Sequence, residues 1–280
     1  MLRTIHRIVH GQETFDGAGV KLRRVFGFSA DNAFDPFLLL DDFGADRPED
    51  FMAGFPWHPH RGIETVTWML DGRVAHGDSL GNEGVIGPGE MQWMSAGSGI
   101  IHQEMPERGE GRLRGLQLWV NLPSTHKMSP PRYRGISPGE VPRVTLPGGG
   151  SVLVLAGTYG GVTGPVRDVV ASPRYLDVTL PAGGTFTWDD LTGLTVFAYV
   201  IEGAVGPAPE NAEVVRRGSA ALFSAGEALQ VTAGADGARM VLVAGAPLRE
   251  PVAWRGPIVM NTQQELDLAF REFHAGTFVK

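Results

Sequence analysis

Two pairs of side chains in the first half of the sequence have the types and the spacing of metal ligands. His58 and His60 are separated by one residue, and so are His102 and Glu104. Side chains two residues apart on a β-strand project from the same face of a sheet, so each pair would present both groups to one side. Three imidazoles and one carboxylate suit a first-row divalent ion and leave coordination positions open. The sequence therefore predicts a site for one divalent metal ion.

The carboxylate ligand of this site has two candidates. Glu104 lies two residues after His102, whereas Glu64 shares strand parity with His58 and His60 and could face the same interior. If Glu64 is not a ligand, it could orient one of the imidazoles, because a metal-bound histidine usually donates its second ring N–H to such a partner. The spacing of the residues leaves both assignments open.

The second half of the sequence lacks this set of ligands. No histidine occurs between Lys127 and Phe273. Residues 89–97 nevertheless align without a gap with residues 218–226, which indicates an internal duplication. In this alignment, the positions of His58, His60, His102 and Glu104 are occupied by Asp189, Leu191, Val231 and Ala233. We therefore predict two related domains, of which only the first binds a metal ion.

Short segments that are rich in Val, Thr, Leu and aromatic residues predict an all-β fold. The 39 glycines and 20 prolines are spread along the chain and separate these segments, which is typical of β-sandwiches and β-barrels. One segment rich in proline and glycine, with little apolar content, separates the two halves. We predict an N-terminal metal-binding domain over residues 1–133, a linker over residues 134–148 and a degenerate C-terminal domain over residues 149–280.

One helix is predicted near the C-terminus. Asn261 or Thr262 can cap its start, with Glu265 as the acidic partner of a capping box. Apolar residues between positions 266 and 273 would form one stripe along the helix, and Gly276 would end it.

The composition excludes several classes of function. The chain contains no cysteine, so disulfides, thiolate metal sites, iron–sulfur clusters and a cysteine nucleophile are excluded. The formal net charge of −7 and the lack of a block of Lys and Arg argue against direct binding to nucleic acid. The apolar runs are too short to span a bilayer, and the N-terminus lacks the apolar segment of a secretory signal. We therefore expect a cytoplasmic protein without a membrane partner.

Three segments of the first half resemble the pirin family. They are residues 58–68 (HPHRGIETVTW), 78–82 (DSLGN) and 88–104 (PGEMQWMSAGSGIIHQE). Residues 35–44 (DPFLLLDDFG) and 256–262 (GPIVMNT) are also similar to pirins, so the resemblance covers almost the whole chain. Pirins consist of two cupin domains. The resemblance therefore implies two jelly-roll β-barrels in tandem with a short C-terminal helix.

The resemblance also implies the ligands and the metal. It favours Glu104 over Glu64 as the carboxylate ligand, where the general cupin pattern would favour Glu64. It implies one iron(II) ion per chain, with nickel, manganese, copper, cobalt or zinc as alternatives. The implied ligands are His58, His60, His102 and Glu104.

Two classes of function follow from the resemblance. Some pirins resemble quercetin 2,3-dioxygenases in activity, which implies a flavonol and O₂ as substrates and Glu104 as the general base. Others are redox-sensitive regulators, which implies a protein partner instead. A metal-assisted isomerase or hydrolase would need the same ligands. The candidates for the walls of a substrate pocket, each of which could instead belong to the core, are Trp57, Trp68, Met69, Trp93 and Met94.

Three further polar residues lie near the predicted ligands. His76 and Asp78 share strand parity and could form a second pair beside the metal or stabilise a turn. Arg61 has the parity opposite to that of His60, so we expect it to point outward or to pair with an acidic residue at the pocket rim.

Overall fold

The computed structural model of the chain describes residues 1–29, 31–108, 111–167, 169–207 and 213–280. Within these ranges, antiparallel strands dominate and the one α-helix, α1 (Gln263–His274), lies near the C-terminus, which confirms the predicted fold class. The strands are β1 (Ile5–His10), β2 (Gln12–Asp16), β3 (Val20–Phe26), β4 (Phe37–Ala45), β5 (Phe55–His60), β6 (Ile63–Asp71), β7 (Val74–Asp78), β8 (Glu83–Ile86), β9 (Met91–Ser95), β10 (Ile100–Pro106), β11 (Leu113–Asn121), β12 (Arg132–Ile136), β13 (Arg143–Thr145), β14 (Ser151–Ala156), β15 (Thr158–Tyr159), β16 (Val162–Thr163), β17 (Arg174–Leu180), β18 (Thr185–Trp188), β19 (Thr195–Pro207), β20 (Val215–Arg216), β21 (Ser219–Phe223), β22 (Leu229–Gly245), β23 (Ala253–Arg255) and β24 (Ile258–Met260).

The chain forms two compact units, and neither is continuous in sequence. The first unit contains Gln12–Asn32, Phe37–Pro138 and Leu248–Lys280, and the second contains Met1–Gly11, Ala33–Pro36 and Gly139–Pro247. The predicted domains are continuous segments, whereas the observed units exchange their terminal segments. The physical reason lies in the pairing of the terminal segments: β1 forms a ladder with β21, and Val252, Trp254 and Val259 belong to an apolar cluster with Ile63 and Ile100 of the first unit.

The first unit consists of two antiparallel sheets with an apolar core between them. The larger sheet has the strand order β12-β9-β6-β11-β4-β3-β2, and the smaller sheet has the order β5-β10-β7-β8. Phe43 and Met69 of the larger sheet and Val74 and Ile86 of the smaller sheet belong to one buried cluster. The two sheets therefore face each other, and their inward side chains share one interior.

Residues 248–280 cover one side of the first unit. β23 and β24 form a hairpin, and Val259 of β24 is buried against Ile63 and Ile100 of the two sheets. The helix α1 follows, and the predicted capping box is confirmed, because Thr262 and Glu265 each accept a hydrogen bond from the other's backbone N–H. This segment belongs to the site described below, because it contacts the strands that carry the histidines.

The second unit is built on a nine-stranded sheet whose main path has the order β1-β21-β19-β22-β17-β14-β13. Its core is apolar. Three of the positions that align with the predicted ligands, Leu191, Val231 and Ala233, are buried in this core, and the fourth, Asp189, is exposed. Aliphatic side chains therefore fill the second unit at aligned positions where the first unit has imidazoles and a carboxylate.

No helix within the described ranges is long and apolar enough to cross a lipid bilayer.

Candidate metal centre

Two neighbouring strands of the smaller sheet bring the three predicted histidines together. β5 and β10 are antiparallel, and their register places His102 opposite His58. The ring centroid of His102 lies 4.4 Å from that of His58 and 5.0 Å from that of His60. One ring nitrogen of each histidine lies within 4.8 Å of those of the other two. Among the residues that the structure describes, these three histidines form the one group that could hold a metal ion.

Hydrogen bonds orient two of the rings. Nδ1 of His58 lies 2.8 Å from the carbonyl oxygen of Pro56, and Nδ1 of His60 lies 2.9 Å from that of Pro257. Because a carbonyl oxygen only accepts, Nδ1 is the donor in both rings, and in the neutral form of each ring Nε2 carries a lone pair. The two Nε2 atoms face each other at 3.1 Å. Two imidazoles bound at right angles to one ion at about 2.1 Å would have nitrogens about 3.0 Å apart, so the spacing fits two ligands of one metal.

Burial keeps two of these imidazoles, those of His60 and His102, in the neutral form, which is the form that binds a metal. Burial, together with the charge that His58 would carry, lowers the pKa of His60 to about 3. Burial also lowers the pKa of His102 well below that of a free imidazole, and the neighbouring histidines add to this effect. Within the described ranges, neither ring nitrogen of the buried His102 has a hydrogen-bond partner. Coordination to a metal ion would satisfy a nitrogen that burial otherwise leaves without water.

Glu104 faces the same interior but lies outside the group of three imidazoles. Its side chain is buried on β10, two residues after His102. Oε1 accepts a hydrogen bond of 3.1 Å from the hydroxyl of Thr67, and Oε2 accepts one of 2.9 Å from the side-chain amide of Gln117. Both donors belong to the larger sheet, so the carboxylate links the two sheets across the interior. Its role as the fourth ligand stays a prediction.

Glu64 lies on the opposite face of the larger sheet. It is three residues from Thr67, whose side chain points inward to Glu104, and residues three apart on a strand face opposite sides. The buried Glu64 accepts a hydrogen bond from the hydroxyl of Ser95, and burial raises its pKa. The expectation that it shares the face of the histidines is wrong. Gly62, with a φ of +79°, lies in the short connection between β5 and β6, so the alternation of side chains does not continue from one strand to the next.

A fourth imidazole, that of His76, lies beside the cluster. Its ring stacks on that of Tyr133 with 4.6 Å between centroids and lies 5.5 Å from the ring of His102. Asp78, 3.4 Å from Nε2 of His76, accepts hydrogen bonds of 2.9 and 3.0 Å from two backbone N–H groups of the turn that follows β7. Asp78 therefore contacts His76, as the predicted pair requires, and its hydrogen bonds to the backbone also support the stabilisation of a turn.

Arg61 lies on the predicted face of its strand, but it is buried there and not exposed to solvent as expected. Its guanidinium donates hydrogen bonds of 2.6 and 2.9 Å to the carbonyl oxygens of Ser98 and Phe278, and it forms an ion pair of 2.7 Å with Glu272. The side chain is only 1% exposed. It does lie on the face opposite to the histidines, but residues 248–280 cover that face. The acidic partner is therefore a residue of α1 and not one at a pocket rim.

A cavity of about 660 Å³ opens onto the histidines, with His58 and His60 in its wall. Its apolar side is aromatic: the ring centroids of Trp119 and Trp254 are 5.8 Å apart, and Phe28 packs edge-on against Trp254, also at 5.8 Å. A cavity of this size lies within the range of pockets that enclose drug-sized ligands.

None of the five predicted wall residues lines this cavity. Four of them are buried with at most 3% of their surface exposed, and Trp57 is 54% exposed. The four buried ones, Trp68, Met69, Trp93 and Met94, lie on β6 and β9. Apart from residues of β5, the cavity wall is supplied mainly by β3, β4, β11 and residues 248–280. These segments are distant in sequence from the histidine motif, which is why the motif did not reveal them.

The cavity wall also contains an ion pair, between Arg24 and Asp41, that the sequence analysis did not predict. Nε and Nη2 of Arg24 donate to the two carboxylate oxygens of Asp41 at 3.0 and 2.8 Å, and Nη2 also donates to Asp16 at 2.6 Å. Asp41 is 5% exposed, and burial raises its pKa while the hydrogen bond from Arg24 opposes that shift. The apolar run 37–40 directly before Asp41 could have predicted this ion pair, because a carboxylate at the end of a buried strand needs a cationic or hydrogen-bonding partner.

The sequence matches two family models that together cover most of the chain. Residues 19–120 match the model described as Pirin, and residues 175–279 match the model described as the pirin C-terminal cupin domain. The two matches confirm the predicted architecture of two cupin domains.

Similar proteins extend this comparison over the full length. The chain is 46% identical over 278 residues to a pirin-like protein of Caulobacter vibrioides, with 99% of each chain covered. It is 45% identical over 279 residues to a Pseudomonas aeruginosa protein provisionally named a quercetin 2,3-dioxygenase, with 98% of this chain and 97% of that protein covered. The crystal structure of quercetin 2,3-dioxygenase from Acinetobacter baumannii has the same fold, with a TM-score of 0.92, 31% identity and 100% of both chains covered.

Proposed function

Because this chain belongs to the pirin family, we propose that it is a metal-dependent dioxygenase that opens the ring of a quercetin-like flavonol with O₂. The observation that carries this proposal is the cavity that opens onto two members, His58 and His60, of a cluster of three histidines. A structural metal site is usually closed by its protein ligands, whereas a catalytic one keeps a position open to solvent and substrate. The names of two similar proteins supply the substrate class.

The proposed centre holds one divalent ion, with iron(II) as the first candidate. Neutral imidazoles and one carboxylate also suit nickel, manganese, copper, cobalt or zinc. When bound, such an ion acidifies a hydroxyl group that coordinates to it and brings an electron-rich substrate and O₂ into contact. The proposed ligands are His58, His60, His102 and Glu104.

The groups around the cavity can bind and orient a flat polyphenol. Trp119 and Trp254 offer apolar ring faces on which the substrate can stack. Gln117 lines the cavity and donates to Glu104, so it connects the substrate space with this carboxylate. We assign the proton of the flavonol 3-hydroxyl to Glu104, whose two hydrogen bonds come from neutral donors, a hydroxyl and a side-chain amide. The flavonolate then takes up O₂, and the ring opens with loss of carbon monoxide.

The test is a turnover assay with defined metal content. Metal-free protein is loaded anaerobically with iron(II) and mixed with quercetin and O₂, and the release of carbon monoxide is measured. We expect turnover in proportion to bound metal, no turnover in His102→Ala, and unchanged turnover in the control His6→Ala, which removes an exposed imidazole of β1. If no metal form releases carbon monoxide, the proposed reaction is wrong, and the regulatory role implied by the resemblance becomes the next hypothesis to test.

Glu104→Gln tests the proposed base separately. The amide keeps the shape of the side chain but cannot take a proton, so turnover should fall about 100-fold or more even where metal is retained. Wild-type turnover in a metal-loaded Glu104→Gln protein would exclude Glu104 as the base.

A further inference from the structure

One side of the cavity carries a charged group that the proposed chemistry does not use. We propose that Arg24, held by Asp41 and Asp16, binds oxygen substituents at the end of the substrate remote from the histidines and makes the cavity selective for hydroxylated aromatic compounds. This inference rests on the proposed function in that it uses the same cavity.

Arg24 has hydrogen-bond donors to spare. Its Nε and Nη2 are engaged by the two aspartates, whereas Nη1 makes no hydrogen bond within the part of the chain that the structure describes. A guanidinium carries two N–H groups on this nitrogen, and Arg24 lines the cavity. The pairing through both oxygens of Asp41 holds the guanidinium plane in one orientation, because two parallel hydrogen bonds fix it.

The register of the larger sheet determines the distance between Arg24 and Gln117, the cavity residue that contacts the proposed base Glu104. Arg24 on β3 pairs with Asp41 on β4, and Asp41 pairs with Gln117 on β11. Gln117 lines the same cavity and donates to Glu104. Neighbouring strands are about 4.8 Å apart, so Arg24 lies about 10 Å across the sheet from Gln117. The linked rings of a flavonol can bridge this span, with the 3-hydroxyl towards the histidines and the far ring towards Arg24.

The charges around Arg24 indicate the kind of substituent that fits. The carboxylates of Asp16 and Asp41 outnumber the single guanidinium of Arg24, so the local net charge is negative and disfavours a ligand that carries a carboxylate. A phenolic hydroxyl is suited, because it can accept from Nη1 and donate to an aspartate oxygen at the same time. A ring without oxygen substituents would cover Nη1 and leave its N–H groups without a partner, which costs affinity.

Binding of two flavonols tests the proposal without turnover. Quercetin and 3-hydroxyflavone share the 3-hydroxyl, and only quercetin carries further hydroxyls. Each is titrated into zinc-loaded protein without O₂, and the affinity is measured by calorimetry. We expect the wild type to prefer quercetin, and Arg24→Met to lower the ratio of the two affinities about tenfold while leaving that for 3-hydroxyflavone within about twofold. The control Arg23→Met makes the same charge change on the neighbouring residue of β3, which does not line the cavity, and should keep the ratio.

Further variants separate recognition from folding. Arg24→Met leaves the buried Asp41 without its cation, so its thermal unfolding is compared with that of the wild type. Arg24→Lys keeps the charge but loses the planar fork, and Asp41→Asn keeps the arginine but weakens its orientation, so each should lower the ratio by a smaller factor. The proposal would be overturned if Arg24→Lys and Asp41→Asn both kept the wild-type ratio of affinities. It would also be overturned if the variants lost the same factor of affinity for quercetin and for 3-hydroxyflavone. If the ratio of affinities falls in the Arg24 variants but iron-loaded wild-type protein releases no carbon monoxide, the recognition by Arg24 stands and the proposed reaction is wrong. If the wild type releases carbon monoxide but the ratio is unchanged in the variants, the reaction stands and the recognition by Arg24 is wrong.

Discussion

Lys127 is a buried lysine whose titration should control the pH dependence of stability. Its side chain is 2% exposed, and Nζ donates hydrogen bonds of 2.9, 2.9 and 2.7 Å to the carbonyl oxygens of Gly62 and Val259 and to Oδ1 of Asn121. All three acceptors are neutral. Burial lowers the pKa of Lys127 from 10.5 to about 7, against the weaker opposing effect of two glutamates.

The direction of the effect follows from proton linkage. Between about pH 7 and pH 10.5, Lys127 is protonated in the unfolded chain but neutral in the folded protein. The unfolded state therefore binds more protons in this window, and the free energy of unfolding rises with pH; equivalently, stability is lost as the pH falls towards 7. One proton corresponds to about 1.4 kcal/mol per pH unit, so the difference of about 3.5 in pKa (10.5 − 7) amounts to about 5 kcal/mol in total. About 2.5 kcal/mol of this should develop between pH 7.5 and 9.5.

Urea unfolding of the metal-free protein, followed by tryptophan fluorescence across this pH range, measures the slope. Lys127→Met replaces the ammonium group by an apolar side chain of similar length and should remove about 2.5 kcal/mol of the pH dependence. The control Lys21→Met, at a partly exposed lysine of β3, should keep the wild-type slope. Equal slopes in the wild type and Lys127→Met would refute the reasoning, because the buried ammonium group would then keep its proton.

Three other predictions concern the metal centre and the C-terminal segment. His102→Ala should abolish tight metal binding in a calorimetric titration, whereas Glu64→Gln should retain it because Glu64 faces away from the imidazoles; the opposite pattern would reverse the assignment of the ligands. Elemental analysis of loaded protein should find one metal ion per chain, and two specific ions would contradict a single centre in the first unit. Arg61→Met should lower the free energy of unfolding by about 3 kcal/mol, because it removes a buried cation from Glu272 and from two carbonyl oxygens. An unchanged urea midpoint would show that the α1 segment does not depend on this contact.

Local patterns predicted the elements that carry the site. Alternation of side chains along a strand is a property of the backbone, so His58 and His60 could be assigned to one face before their partner strand was known. The capping box of Thr262 and Glu265 likewise acts within one turn, and α1 begins where it predicts. The same reasoning failed for Glu64, because it treated residues 58–64 as one strand with unbroken alternation of side chains. In the structure, the left-handed conformation of Gly62 separates two strands at this point.

By itself, the sequence determined the all-β class, the spacing of the histidines along their strands and the terminal helix, because each depends on residues a few positions apart. Only the tertiary structure decided what covers Arg61, which meets Phe278 across 217 positions of the chain. It also decided the cavity wall, where Trp119 and Trp254 come together from separate segments, and the exchange of the terminal segments between the units. These contacts result from the competition of all segments for the same apolar surface and the same free strand edges, and no local pattern contains that competition.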